Sequence, residues 1–137
     1  MEEQEIINKL VQMAIEAQEN SYSPYSHFKV GCALLTKSGK IFKGCNVENA
    51  AYGPSNCAER TAIFSAVANG ERDFDKIAII CGNGEEFGAP CGVCRQVIYE
   101  FNPSMDVILA KRNGETKIYK AYELLPEAFG PKNIENY

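Results

Sequence analysis

Cys57 and Glu59 stand two residues apart, and Cys91 and Cys94 follow in a Pro-Cys-x-x-Cys run. Three thiolates are a zinc ligand set that leaves one tetrahedral position open, and an open position separates a catalytic zinc from a structural one. A carboxylate beside that position can move protons to and from a water held there. Neither piece is decisive alone. A C-x-x-C pair also occurs in redox motifs and zinc knuckles, and a first-turn glutamate is ordinarily a solvated partner of the helix dipole. A fourth cysteine would close the site, and Cys45 and Cys81 are available. Their apolar neighbours and missing pairing partner argue against it. Cys-Ala-Glu, the C-x-x-C pair and a strand between them together favour a catalytic Zn2+, one per subunit, with Glu59 as its acid–base group.

Such a site needs elements that bring distant residues to one point. Hydrophobic spacing predicts a helix over 2–19, carried by Ile6, Leu10, Ala14 and Ala17 and ended at Ser21–Tyr25. Strands are expected at Phe28–Leu35 and Ile41–Cys45 around a Lys37–Lys40 turn, with His27 as a surface strand residue. A polar loop to Asn56 leads into a helix over Cys57–Ala68. Ile77–Cys81 is short and continuously apolar, as a buried strand is. After a glycine-containing loop come a helix at Cys91–Phe101, strands at Val107–Ala110 and Thr116–Tyr119, and a short helix near Tyr122–Leu125. This order predicts an α/β protein, a three-layer α/β/α sandwich around a mixed five-stranded sheet. Cys32, Cys45 and Cys81 then read as strand residues acting as small hydrophobes.

Both metal half-motifs fall at helix starts, where unpaired backbone N–H groups and the helix dipole lower a cysteine pKa. Three thiolates on Zn2+ leave a net charge of −1 by the formal charges, which weakens the metal as a Lewis acid unless a cation offsets it. Arg60 and Arg95 each adjoin a ligand motif, and Arg60 is favoured as the donor to the sulfurs.

The 137 residues fit a single domain over 1–137, and 45% hydrophobic content suffices for a core. Fourteen basic against eighteen acidic residues give a net charge of −4, with no Lys/Arg cluster. A nucleic-acid backbone binder carries a basic footprint, so a free small molecule is the expected substrate. No apolar run is long enough for a membrane span. The acidic opening Met1–Glu5 has the wrong sign for a secretory signal, which points to a cytoplasmic protein with cysteines used for metal or core rather than disulfides.

Longer motifs surround these residues: Ser23-Pro24-Tyr25-Ser26-x-Phe28-x-Val30-Gly31, Gly44 to Ala50 (GCNVENA), Asn56 to Ala62 (NCAERTA), Pro90 to Gln96 (PCGVCRQ) and Leu124-Leu125-Pro126-x-x-Phe129. From Tyr22 to Phe129 the chain resembles the small, homotetrameric, zinc-dependent cytidine deaminases. The resemblance implies a cytidine deaminase-like fold and hydrolytic deamination of cytidine and 2′-deoxycytidine to uridine and 2′-deoxyuridine plus ammonia, in pyrimidine salvage. It implies that Glu59 shuttles protons from the attacking water to the pyrimidine and the leaving amine. It assigns Phe28 to packing on the pyrimidine, Asn46 and Glu48 to the ribose hydroxyls, and the Ala58 backbone N–H to the base carbonyl. Ala50, Tyr52 and Phe129 would contribute across subunit boundaries, making active sites shared within a homotetramer. Without the resemblance, Asn46 and Glu48 read as a polar strand end and Phe28 as a core strand residue. Cys32, Ala89 and Val93 depart from commoner family residues, and none is a proposed ligand. Three rivals remain at this point: the same chemistry on a nucleoside antibiotic or an RNA base, a non-catalytic zinc-stabilised interaction domain, and a Cys91–Cys94 dithiol oxidoreductase.

Overall fold

Residues 2–134 are described by the structure, a computed structural model. The chain forms helix α1 (Glu3–Gln18), strands β1 (Val30–Thr36) and β2 (Ile41–Cys45), helix α2 (Ala58–Ala68), strand β3 (Phe74–Cys81), helix α3 (Gly92–Phe101), and strands β4 (Asp106–Ala110) and β5 (Thr116–Lys120). Short 3-10 turns follow at Ala121–Leu124 and Pro131–Asn133. The strands make one sheet in the order β2-β1-β3-β4-β5, parallel only between β3 and β4. The crossover between those two strands is the segment that carries α3.

Strict alternation in the three central strands builds the layers. Cys32, Leu34, Ile77, Ile79, Val107 and Leu109 face α2 and α3, joining Ala62, Ile63 and Ile98. Ala33, Ala78, Ile80, Ile108 and Ala110 face the other way, against Ile7, Leu10 and Ala14 of α1. Residues buried on both faces explain why these strands read as continuous apolar runs. Two glycines set how closely the helices approach. A Cβ on Gly31 would lie 2.0 Å from the Ala14 carbonyl oxygen, and one on Gly44 would lie 2.4 Å from that of Ala58. Gly44 therefore lets the first turn of α2 rest directly on β2.

The expected three-layer α/β/α sandwich and mixed five-stranded sheet are observed. Two local readings are corrected. β1 begins at Val30, not Phe28, so His27 and Phe28 lie outside the strand. His27 has φ +59, a left-handed conformation that no strand residue adopts, and Phe28 is 51% exposed rather than core. β3 begins at Phe74, three residues before the apolar run suggested. Lys76 hides that extension. It is buried within β3 because its ammonium pairs with Asp106 and Glu3, both at 2.8 Å. Among the described residues, no helix is long and apolar enough to cross a membrane.

Candidate metal and nucleoside site

Cys57 and Cys91 are the N-caps of α2 and α3, and Cys94 lies in the first turn of α3. Two helix starts therefore converge, and the positive end of each helix dipole lies beside the sulfurs. The Cys94 N–H donates to the Cys91 sulfur at 3.5 Å. The three Sγ atoms lie within 4.8 Å of one another, with Cys57 and Cys91 3.8 Å apart. Tetrahedral zinc with Zn–S bonds of about 2.3 Å separates its sulfurs by about 3.8 Å. The trio fits that ion, and among the described residues it is the one His/Cys/Asp/Glu cluster with ligand atoms so close.

The crowded sulfurs share charge unevenly. Hydrogen bonding from Cys94, with help from Arg60 and Cys91 against the cost of burial, brings Cys57 down to about 5. Cys94 is pushed up, first by its hydrogen bond to Cys57 and then by burial. Metal binding requires the thiolate form of each cysteine, so a bound cation would draw the proton from Cys94 as well.

Arg60 and Arg95 take different partners. Arg60 Nη2 donates to the Cys57 sulfur at 3.3 Å. Arg95 turns away, its Nε donating to the Pro90 carbonyl at 2.7 Å and its Nη1 to the Leu124 carbonyl at 3.1 Å. Arg95 thus ties α3 to the Ala121–Leu124 turn and leaves the sulfurs to Arg60.

Glu59, one residue into α2, is 4% exposed. Burial raises its carboxyl to about 7, and the neighbouring Cys57 charge adds to the shift. A glutamate poised near neutrality holds and releases a proton readily, as acid–base work requires.

Glu59, Cys57, Cys91 and Ala58 line one cavity of about 320 Å³ together with Phe28, Asn46 and Glu48. The size suits a small ligand. The Glu48 carboxylate accepts from the backbone N–H groups of Tyr25 at 3.1 Å and Ser26 at 3.0 Å, and from the Ser26 hydroxyl. The Ser26 bonds, side chain first, hold it below the usual carboxylate range. Asn46 spends much of its amide on the chain that carries Phe28, donating to the Phe28 carbonyl at 2.8 Å and accepting from the Val30 N–H at 2.9 Å.

Ala50, Tyr52 and Phe129 are not brought into this cavity. All three are exposed, Tyr52 at 74% and Phe129 at 58%. Tyr52 lines an adjoining recess with Tyr25, Ser26, Glu48 and Ser55. The Phe129 carbonyl accepts from Gln96 on α3 at 2.8 Å.

Ser26, Ser55, Asn56, Cys81 and Ala89 also line the cavity and had no role assigned from sequence. Ser26 and Asn56 sit inside the quoted motifs, next to assigned residues, which is the one signal that could have found them. Cys81 carried no signal, since it ends an apolar run. Burial, with the Glu59 and Cys57 charges, raises its thiol to about 12, so it lines the cavity as a neutral group.

Three clustered cysteine sulfurs at two helix starts, two of them lining one cavity with a buried carboxylate in an α/β sandwich, define the zinc-deaminase class of enzymes. Residues 4–111 match the cytidine and deoxycytidylate deaminase zinc-binding region, and the chain belongs to that family. A cytidine deaminase of Sporosarcina psychrophila is 46% identical over 129 residues, covering 93% of this chain and 94% of the relative. A second, from Halalkalibacterium halodurans, is 44% identical over 93% of this chain and 96% of its own length. The crystal structure of cytidine deaminase from Burkholderia pseudomallei superposes with a TM-score of 0.85 at 50% identity, covering 89% of this chain and 98% of that one.

Proposed function

We propose that this chain hydrolyses cytidine and 2′-deoxycytidine to uridine and 2′-deoxyuridine, releasing ammonia, as a step of pyrimidine salvage. The observation that carries the reading is the single cavity. Glu59, Cys57 and Cys91 line it together with Phe28, Asn46 and Glu48, and Cys94 lies behind it, buried, with its sulfur within 4.8 Å of the other two, which supports the reading. Zinc held by Cys57, Cys91 and Cys94 supplies a Lewis acid at the reacting end.

Glu59 takes a proton from the attacking water and gives it to N3 of the pyrimidine as the new C–O bond forms at C4. It then carries the hydroxyl proton of the tetrahedral C4 to the amine. The C–N bond breaks, ammonia leaves, and the C4 carbonyl of uridine forms. Its raised pKa suits both directions of transfer. Phe28 presents an aromatic face to the pyrimidine, and the Ala58 N–H, in the first turn of α2, reads the base carbonyl. Glu48 accepts from the ribose hydroxyls, and Asn46 shares that end while bracing Phe28. Arg60 donates to the Cys57 sulfur and would thereby withdraw charge from the thiolate, keeping a zinc held there acidic.

The assembly is a homotetramer with shared active sites. Ala50, Tyr52 and Phe129 are exposed on this chain and lie off its cavity, which supports a role in completing the cavities of neighbouring subunits. The substrate is a free nucleoside, consistent with an acidic protein of net charge −4. A three-thiolate site is preserved by a reducing compartment, which favours the cytoplasm.

The test follows the ultraviolet change of cytidine and deoxycytidine with zinc-quantified protein beside a Glu59→Gln control. Conversion by the wild type alone, with about one zinc per chain, is the expected result. Zinc without turnover on either nucleoside refutes the substrate assignment.

A further inference from the structure

Gln18 ends α1 and is 2% exposed, yet it touches none of the groups assigned to chemistry. Its amide is nonetheless fully engaged. Nε2 donates to the carbonyls of Lys29 at 2.9 Å and Gly82 at 2.7 Å, and Oε1 accepts from Arg112 Nη2 at 2.7 Å. A buried amide with both donors and its acceptor satisfied by three separate segments fixes their relative position.

The two carbonyls belong to the residues that bracket Phe28. Lys29 follows it in sequence. Gly82 lies against its ring, where an added Cβ would stand 2.8 Å from Cε1, and has φ +58. The Gly82 N–H also donates to the Lys29 carbonyl at 2.7 Å. Phe28 is half-exposed and lines both the site cavity and a second one of about 540 Å³, so core packing does not hold its ring. Its backbone is tied by Ser26 and Asn46, the N–H donating to Ser26 Oγ at 3.0 Å. Gln18 holds the backbone carbonyls of both residues that flank the ring.

We propose that Gln18 is a positioning residue for the nucleoside: it locks the Lys29 and Gly82 backbones together and so fixes the face that Phe28 turns to the pyrimidine. Arg112 holds the amide with both N–H groups toward the carbonyls. This rests on Phe28 being a substrate contact, as proposed above.

The test compares Gln18→Met, which keeps the length and removes the polar atoms, with Gln18→Glu, which keeps the acceptor for Arg112 but sets carboxylate oxygens against two carbonyls. Each is measured for cytidine KM and kcat, zinc content, and the Kd of the product uridine by calorimetry, alone and in a Phe28→Ala background. KM and the uridine Kd should rise about tenfold in both variants, with kcat within about twofold and zinc unchanged. In the Phe28→Ala background the Gln18→Met change should add less than about twofold, because the two residues act as one unit. Unchanged KM and Kd in Gln18→Met, while Phe28→Ala raises them, overturn the proposal. So does a full additional effect in the Phe28→Ala background. If Phe28→Ala alone changes neither constant, the substrate contact itself is wrong and the proposal falls with it. Should Gln18→Met not fold, Arg112→Ala removes only the exposed half of the clasp. It should raise both constants about threefold with kcat retained, and unchanged constants count against the clasp.

Discussion

Arg60 donates from Nη2 to the Cys57 sulfur at 3.3 Å, while its Nε is buried without a hydrogen-bond partner. The guanidinium is thus held by the thiolate rather than by a saturated set of protein acceptors. Each element of this contact is local, since Arg60 lies one turn beyond Cys57 at the start of the same helix. Arg60→Ala should weaken zinc retention against a competing chelator, or lower kcat, by about 10- to 100-fold. Arg60→Lys should recover part of the loss through its charge. Unchanged metal affinity and turnover in Arg60→Ala would show that the thiolate charge is offset elsewhere.

Glu59→Gln keeps the shape of the buried carboxyl and removes its proton transfer. The rate should fall by about 10²- to 10⁴-fold while zinc stays bound. Stability should hold or rise, because burying an unpaired carboxyl is costly and an amide is less so. A variant with residual activity near wild type would remove Glu59 from the mechanism.

Glu48 accepts three hydrogen bonds from Tyr25 and Ser26 before any ligand arrives. Its carboxylate is therefore oriented in advance toward the cavity. Glu48→Gln should raise the KM of cytidine by about 10- to 100-fold, the range for losing hydrogen bonds to a charged group. A larger effect on kcat than on KM would place Glu48 in the chemistry instead.

Asp106 anchors the sheet end opposite the chemistry, accepting from Lys76 at 2.8 Å and Lys120 at 2.7 Å. Burial would raise its pKa, but the two ammonium groups prevail and hold it below the ordinary value. The unfolded chain then binds a proton at higher pH than the folded one. The stabilisation is present above the unfolded carboxylate range, near pH 4, and is lost as pH falls through the lower folded value. Asp106→Asn should cost about 2–3 kcal/mol at neutral pH, less than a fully buried pair because Asp106 retains some exposure. Denaturant titrations should show that difference shrinking toward pH 3. A difference constant from pH 7 to pH 3 would assign the loss to packing and not to charge.

Phe129 is exposed and does not line the cavity of this chain. If it completes a neighbour's site, Phe129→Ala should depress kcat/KM without altering zinc content. Coexpressing Phe129→Ala and Glu59→Gln chains should then restore part of the activity, because some hybrid sites receive an intact copy of each. No gain over the separate variants, in an assembly shown to be tetrameric by sedimentation, would mean that the sites are not shared in this way.

The cysteine positions, the helix starts and the sheet were legible in the sequence because each depends on short-range rules. Cys57 with Glu59, and Cys91 with Cys94, sit within one helical turn, and alternation over Cys32–Leu34 and Ile77–Ile80 fixes which side chain meets which helix layer. Lys76 concealed the start of β3 because its charge is cancelled by Asp106, 30 residues away. Phe28 read as a core strand residue because hydrophobicity cannot distinguish a ring that packs inward from one that lines a cavity. Sequence favoured Arg60 over Arg95 without deciding between them, since both adjoin a ligand motif; only the tertiary structure shows Arg60 on a sulfur and Arg95 on carbonyls. The same holds for Gln18, whose partners lie 11, 64 and 94 residues on. A polar side chain at the end of a helix carries no local mark of what will surround it. The sequence by itself determined that three cysteines stand at two helix starts, whereas the packing of α1 onto β1 and the return of the Gly82 loop decided how the cavity around them is shaped.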